Sequence, residues 1–177
     1  ALIHFTKKYE IAKKHDSRQM IIQGLGNIAL IHNIRGQYDK SLEIYKEVMA
    51  TAEDIYDLNA QSQTYGNKGI IYKNIGKHTK AIKNYQKQID IAHTMGDEFQ
   101  QANAYDGMGV IYRQDGDYKK SEEFLNKAIR MSTAIDDKYG IASSHCNLST
   151  TSFEGGNIKK AKDMLSVGLG LFNEMNN

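Results

Sequence analysis

Four stretches of the sequence decide the fold: GQYDKSLEIY (36–45), GKHTKAIKNY (76–85), GDYKKSEEFL (116–125) and GNIKKAKDML (156–165). Each begins with a glycine that lies 40 residues after the previous one, and each has a lysine four residues after that glycine and then a small residue. The segments before them match as well: GNIALIHNIRG (26–36), GNKGIIYKNIG (66–76), DGMGVIYRQDG (106–116) and CNLSTTSFEGG (146–156). The chain is therefore built from a 40-residue repeat.

Within one repeat the apolar residues have helical spacing. Leu42, Tyr45, Val48, Met49 and Ala52 fall near positions i, i+3, i+4 and i+7, and a similar stripe precedes them. The sequence has no proline, so glycine must supply the breaks. We therefore predict two antiparallel helices in each repeat, joined by a tight turn centred on the glycine.

The same register predicts the boundaries of the array. We expect repeats at 17–56, 57–96, 97–136 and 137–177, preceded at 1–15 by the second helix of a truncated repeat. The first residue is Ala1 and not methionine, which favours a fragment of a longer protein. Polar connections between repeats provide N-cap candidates, whose side chains accept hydrogen bonds from the first helical amides. These candidates are Asp16 or Ser17, Asp97, and Asp136 or Asp137.

The repeats resemble the tetratricopeptide repeat family. Its signature W-x2-L-G-x2-Y followed by A-x3-F is matched in spacing by Tyr65, Lys68, Gly69, Tyr72, Ala81 and Tyr85. The period of 40 is similar to that of the long-repeat subclass found in kinesin light chains, Pins/LGN adaptors, Rap proteins and bacterial sensor proteins. The usual proline near the end of the second helix is missing. The resemblance implies an all-α fold, a right-handed superhelical α-solenoid of antiparallel helix pairs.

Small and aromatic residues explain how such pairs would pack. Ala29, Gly69 and Gly109 would let the first helix of a repeat approach the second closely. The aromatic side chains would fill the space between pairs, with their hydroxyls reaching the surface. They are Tyr45, Tyr72, Tyr85 and Tyr112.

In the family this sequence resembles, the first helices line a groove that holds a partner's peptide, and a ladder of asparagines contacts the peptide backbone. The ladder position is occupied here by Asn27, Asn67, Gly107 and Asn147, so the third repeat breaks it. The asparagine side chain has a donor and an acceptor, which suits recognition of a backbone. The alternative is that the asparagines only pair with neighbouring helix backbones. Further groove positions by the same alignment are Gln23, Leu30, Asn33, Gln63, Ile70, Lys73, Asn74, Asn103, Asp106, Val110, Arg113, Gln114, Thr150 and Glu154.

Two cations in this set, Lys73 and Arg113, could hold a carboxylate of a partner; the alternative is that both are solvated. The formal net charge is only +2, with both signs interspersed, which argues against a nucleic-acid surface. The sequence has no apolar run long enough to span a bilayer, so we expect no membrane insertion. The six histidines show no i,i+4 pair and Cys146 is alone, so we expect no metal site and no cofactor. We expect the protein to be located in the cytoplasm.

Three functions remain open from the sequence. The first is a protein–protein interaction scaffold that binds a peptide or partner protein in the groove, and the second is a sensor or regulatory segment of a larger bacterial signalling protein. The third is a nucleotide-binding enzyme, suggested by G-x-G-x-x-A at Gly24–Ala29. The recurrence of Gly26 as Gly66 favours a repeat motif over a dinucleotide loop, which occurs once.

The last helix has features of an exposed end. Leu165, Val167 and Leu169 lie among the poor helix formers Gly168 and Gly170. We expect this terminus either to fray or to pack against another subunit, giving a homo-oligomer through the exposed terminal helices.

Overall fold

The computed structural model describes residues 2–175. Over this range the chain forms nine α-helices and no strand. Their bounds are α1 Leu2–Lys14, α2 Arg18–Ile34, α3 Tyr38–Asp54, α4 Leu58–Asn74, α5 His78–Met95, α6 Glu98–Gln114, α7 Tyr118–Ala134, α8 Lys138–Glu154 and α9 Ile158–Met175. Within each part of the chain, neighbouring helices pack against one another, for example α2 on α3 and α8 on α9. No helix between residues 2 and 175 combines the length and the apolar character that a bilayer crossing needs.

The glycines that define the repeat lie in the turn inside each hairpin. Gly36 has φ +71° and its N–H donates to the carbonyl of Asn33, while Gln37 N–H donates to that of His32. Gly76, Gly116 and Gly156 have similar positive φ values, a conformation that costs little only for glycine. The glycines that recur every 40 residues are thus the residues with left-handed backbone conformation that end the first helix of each pair.

The turns between hairpins also contain a left-handed residue, and here it is mostly not glycine. Asp16, Tyr56 and Asp136 have φ values of 50°, 56° and 54°, and Gly96 holds the equivalent position. The following residue is an N-cap: Asp57, Asp97 and Asp137 each accept a hydrogen bond from the amide three residues on. The N-caps predicted at Asp97 and Asp137 are confirmed, whereas Ser17 holds the N-cap position without a side-chain bond.

The chain divides into two compact units, residues 1–84 and 85–177. In the first unit, α1 packs on α2, α2 on α3 and α3 on α4. Its core is the cluster of Ile22, Leu25, Ala29, Tyr45, Val48, Ala52, Ala60 and Ile71. In the second unit, α6 packs on α7, α7 on α8 and α8 on α9.

Small residues are found where helices of one hairpin touch. A Cβ added to Gly109 would lie 2.6 Å from Leu125 Cγ, and one added to Gly168 would lie 2.7 Å from Cys146 Sγ. The prediction that position 109 allows close approach is therefore confirmed. The close contact with Cys146 explains why a glycine stands at position 168. Helix α9 continues past it to Met175, and Leu165 and Leu169 on this helix are exposed.

The predicted surface position of the tyrosine hydroxyls is wrong for Tyr45, and Tyr85 is also buried, with 3% of its surface exposed. The side chain of Tyr45 is 1% exposed and its hydroxyl is buried without a hydrogen-bond partner among the described residues. Tyr45 faces the interior of the first unit, because the ring is part of the core cluster between α2 and α4.

Candidate functional site

The first unit contains a cleft built from α2, α3 and α4, which we call the amide cleft. Its volume is about 360 Å³, within the range of roughly 300–1,000 Å³ typical of ligand pockets. The lining residues are Ile22, Gln23, Gly26, Asn27, Leu30, Tyr45, Val48, Ala60, Gln63, Thr64 and Asn67. Five of the predicted groove residues, Gln23, Asn27, Leu30, Gln63 and Asn67, are thus brought together.

The carboxamides of the amide cleft lie on two helices, α2 and α4. Asn27 and Asn67 are half-buried, and within residues 2–175 neither side chain hydrogen-bonds another group. Gln23 and Gln63 are exposed at the cleft, and Gln63 Nε2 donates to Asn59 Oδ1 at 3.0 Å. Asn27 and Asn67 therefore keep both donor and acceptor available for a ligand.

Apolar side chains and one tyrosine form the floor of this cleft. Ile22, Val48 and Ala60 are buried there. The Tyr45 hydroxyl is buried and unpartnered, and burial raises the pKa of Tyr45 to about 12. Among the described residues that line the cleft, none carries a formal charge.

The second unit has a corresponding cleft, which we call the carboxylate cleft, between α6, α7 and α8. Its volume is about 130 Å³. It is lined by Phe99, Ala102, Asn103, Asp106, Ser132, Asp137, Tyr139, Gly140, Ser143 and Ser144. The two clefts correspond with an offset of 80 residues, so Asp106 takes the place of Gly26 and Ser144 that of Thr64.

Asp106 fills the carboxylate cleft with internal hydrogen bonds. Asn147 Nδ2 donates to Asp106 Oδ1 at 3.1 Å and to Oδ2 at 3.0 Å, and Ser144 Oγ donates to Oδ1 at 2.8 Å. Asn147, a predicted ladder residue, is thus held by a side chain of the preceding repeat. Sequence reasoning placed Asp106 in the groove but missed this role; its signal was an acidic residue where the other repeats have Gly26, Gly66 and Cys146.

The break in the ladder at Gly107 has a steric cause. A Cβ at this position would lie 2.5 Å from Cζ and 2.8 Å from the hydroxyl oxygen of Tyr85. The Tyr85 ring, 3% exposed, occupies the space that an asparagine side chain would need. Burial and, secondarily, the charge of Asp106 raise the pKa of Tyr85.

Of the two predicted cations, Arg113 is already paired. Its Nη1 donates to Glu154 Oε1 at 2.7 Å, and its Nε is buried without a partner within the described part of the chain. Glu154, which the alignment assigned to the groove, therefore balances the charge of Arg113. Lys73 is partly buried on α4, while Ile70 and Asn74 on the same helix are exposed and Asn103 is exposed at the carboxylate cleft.

Residues with catalytic or metal-binding potential are not gathered in the described range. No group of three or more His, Cys, Asp or Glu side chains within residues 2–175 is placed to hold a metal ion. Burial raises the pKa of the Cys146 thiol and lowers that of His145, which favours the neutral form of both groups. The G-x-G-x-x-A motif lies inside α2, where a Cβ on Gly24 would lie 3.2 Å from Tyr9 Cβ; it is a site of helix packing and not a strand–loop–helix turn.

A family model described as Tetratricopeptide repeat matches residues 20–94 and 100–174. The chain belongs to the tetratricopeptide repeat family. Members of this family are typically scaffolds and not enzymes.

Two crystal structures show the same fold as this tetratricopeptide array. BtubC (BKLC) from P. vanneervenii matches with a TM-score of 0.84 and 17% identity, over 98% of this chain and 72% of that one. MamA matches with a TM-score of 0.66 and 17% identity, over 95% of this chain and 86% of that one. No curated protein matches the sequence significantly.

Proposed function

We propose that this protein is a protein-interaction scaffold and that the amide cleft binds an extended segment of a protein partner. The amides of Asn27 and Asn67 pair with the peptide backbone of that segment, and Gln23 and Gln63 contact it at the rim. Location in the cytoplasm is part of the proposal, as is a contribution of Ile70, Lys73 and Asn74 to the same partner surface on α4.

The observation that supports this proposal is that two carboxamides in one cleft have no hydrogen-bond partner among the described residues. Asn27 and Asn67 occupy equivalent positions in consecutive repeats, line one cleft, and have no hydrogen-bond partner in the described range. An extended peptide presents alternating N–H and C=O groups, which match the donor and acceptor of each carboxamide. Membership of a family of interaction scaffolds points the same way.

The test is a selection of random linear peptides displayed on phage, followed by affinity measurement on purified protein. The doubly substituted variant Asn27→Ala/Asn67→Ala removes two neutral hydrogen-bonding groups, each worth about tenfold in affinity, so we expect a loss on the order of a hundredfold. Asn147→Ala is the matched control, since that carboxamide is held by Asp106. Equal affinity of the doubly substituted and unchanged proteins would remove the amide cleft from the proposal.

We also propose self-association through α9. Leu165 and Leu169 are 43% and 50% exposed and lie one turn apart on that helix, and a second copy would cover this apolar surface. Light scattering at increasing concentration tests this; a strict monomer at all concentrations contradicts it.

A further inference from the structure

The amide cleft differs from the carboxylate cleft in having no charge. A charged side chain that enters it loses hydration and finds no opposite charge, which is unfavourable. The carboxylate cleft, in contrast, has Asp106 and Asp137 in its lining. The amide cleft therefore disfavours Asp, Glu, Lys and Arg side chains of a partner.

The polar groups of the amide cleft are nearly all carboxamides. Gln23 and Asn27 come from α2, and Gln63 and Asn67 come from α4, so the two walls present the same chemistry. Each carboxamide can donate two hydrogen bonds and accept more, so the peptide backbone does not use all of this capacity, and an apolar side chain in the cleft would leave the remainder without partners. A side chain with the same donor and acceptor set satisfies both walls.

The floor of the cleft contains an unsatisfied group. Tyr45 is 1% exposed, lines the cleft, and its hydroxyl has no hydrogen-bond partner among the described residues. The equivalent tyrosine of the next repeat, Tyr85, has Asp106 close by, whereas Gly66 holds the position corresponding to Asp106 for Tyr45. Tyr45 therefore lacks the neighbouring carboxylate that Tyr85 has.

We propose that the amide cleft selects an uncharged carboxamide side chain, glutamine or asparagine, of the bound segment, and that the Tyr45 hydroxyl contributes a hydrogen bond to it. This inference rests on the proposed function, since it names the side chain that accompanies the bound backbone. The cleft volume of about 360 Å³ accommodates such a side chain, given a volume of roughly 30 Å³ for each water it displaces.

The experiment uses peptides selected on phage by the full chain. We expect a recurrent glutamine or asparagine position in these peptides, and an affinity loss of at least about tenfold when that residue is changed to glutamate or lysine in a synthetic peptide. Tyr45→Phe should lower the affinity of the carboxamide peptide about five- to tenfold while the melting temperature stays the same or rises, because it removes an unsatisfied buried hydroxyl. Tyr85→Phe, the matched buried tyrosine of the other unit, should leave the affinity unchanged.

The outcomes distinguish failure of carboxamide selection from failure of the proposed scaffold function. Selected peptides without a carboxamide position, or tolerance of glutamate and lysine there, would overturn the carboxamide inference. Unchanged affinity of Tyr45→Phe for the carboxamide peptide would overturn the role of the hydroxyl. In these cases the proposed scaffold function stands if Asn27→Ala/Asn67→Ala still lowers peptide affinity on the order of a hundredfold. If the chain selects no peptide at all, the proposed function fails and the inference fails with it.

Discussion

The amide cleft and the carboxylate cleft are two versions of one site, 80 residues apart in the same repeating sequence. The first is open, uncharged and about 360 Å³ in volume; the second is about 130 Å³ and is occupied by the carboxylate of Asp106. Asp106, which stands where the first unit has Gly26, engages both Asn147 and Ser144 with a single carboxylate. One position in a repeat can therefore decide whether the ladder asparagine of the next repeat is held by the chain itself or left without an internal partner.

The largest expected effect concerns the buried tyrosines, one in each unit. Burial raises the pKa of Tyr45 from 10.0 to about 12, so the folded state favours the protonated hydroxyl. The stabilisation is fully present below the unfolded-state value and is lost as pH rises from 10 through 12, at up to about 1.4 kcal/mol for each pH unit. Urea unfolding between pH 9 and pH 12 should show this slope, and Tyr45→Phe should reduce it. For Tyr85 the pKa is also raised, so Tyr85→Phe should reduce the slope as well. If Tyr45→Phe unfolds with an unchanged slope, Tyr45 is more accessible than its burial indicates.

The second effect tests the steric cause of the ladder break. Gly107→Ala places a methyl group against the Tyr85 ring, which is 3% exposed and has little room to move. We expect a decrease of about 1–3 kcal/mol in the free energy of unfolding, measured in urea. Gly26→Ala is the matched control in the amide cleft, since nothing lies within 4 Å of the added Cβ. Because alanine favours a helix more than glycine does, we expect the free energy of unfolding to rise by roughly 0.5–1 kcal/mol. Equal effects of the two substitutions would show that Gly107 is not required by packing.

The architecture could be predicted from the sequence because its signals are local. The glycine period marks left-handed helix ends, and Asp97 and Asp137 mark helix starts, so each signal depends only on neighbouring residues. The pairing of Asp106 with Asn147 joins residues 41 positions apart and depends on how two helices face each other. The sequence shows an acidic residue at position 106, where two other repeats have glycine, but it does not show which side chains the carboxylate contacts.

The depth of a side chain is a second property that periodicity does not provide. The spacing placed Tyr45 on the packed face of α3, yet whether its hydroxyl reaches water depends on the neighbouring helices α2 and α4. The pairing of Arg113 with Glu154 was hidden in the same way, because both residues were assigned to the groove one by one. The sequence thus predicts which residues share a surface better than it predicts which of them pair.

The third effect is an exchange of the two clefts. Gly26→Asp introduces the carboxylate of the second unit into the first, next to Asn67 and Thr64, the counterparts of Asn147 and Ser144. Because the position is open, we expect a folded protein that binds selected peptides about tenfold more weakly, the value of one lost hydrogen-bonding group. Calorimetric titration of the peptides measures this. The reverse change, Asp106→Gly, should release Asn147 and leave binding in the amide cleft unaltered. Full peptide affinity in Gly26→Asp would show that the carboxylate is not what separates the clefts.

The smallest effect concerns Arg113, whose side chain is 20% exposed and whose partner Glu154 has a side chain that is 37% exposed. Glu154→Gln breaks the ion pair but keeps the shape of the side chain, and a partly exposed pair contributes at most about 1 kcal/mol, less at high salt. We therefore expect a small loss of stability in urea unfolding at low salt that disappears at high salt. The same variant examines whether Arg113 serves a partner. If Glu154→Gln binds peptides with a carboxylate more tightly, Glu154 competes with such peptides for Arg113, and both Arg113 and Asn147 of the second unit are held by internal carboxylates. If the affinity is unchanged, Arg113 acts only within the chain.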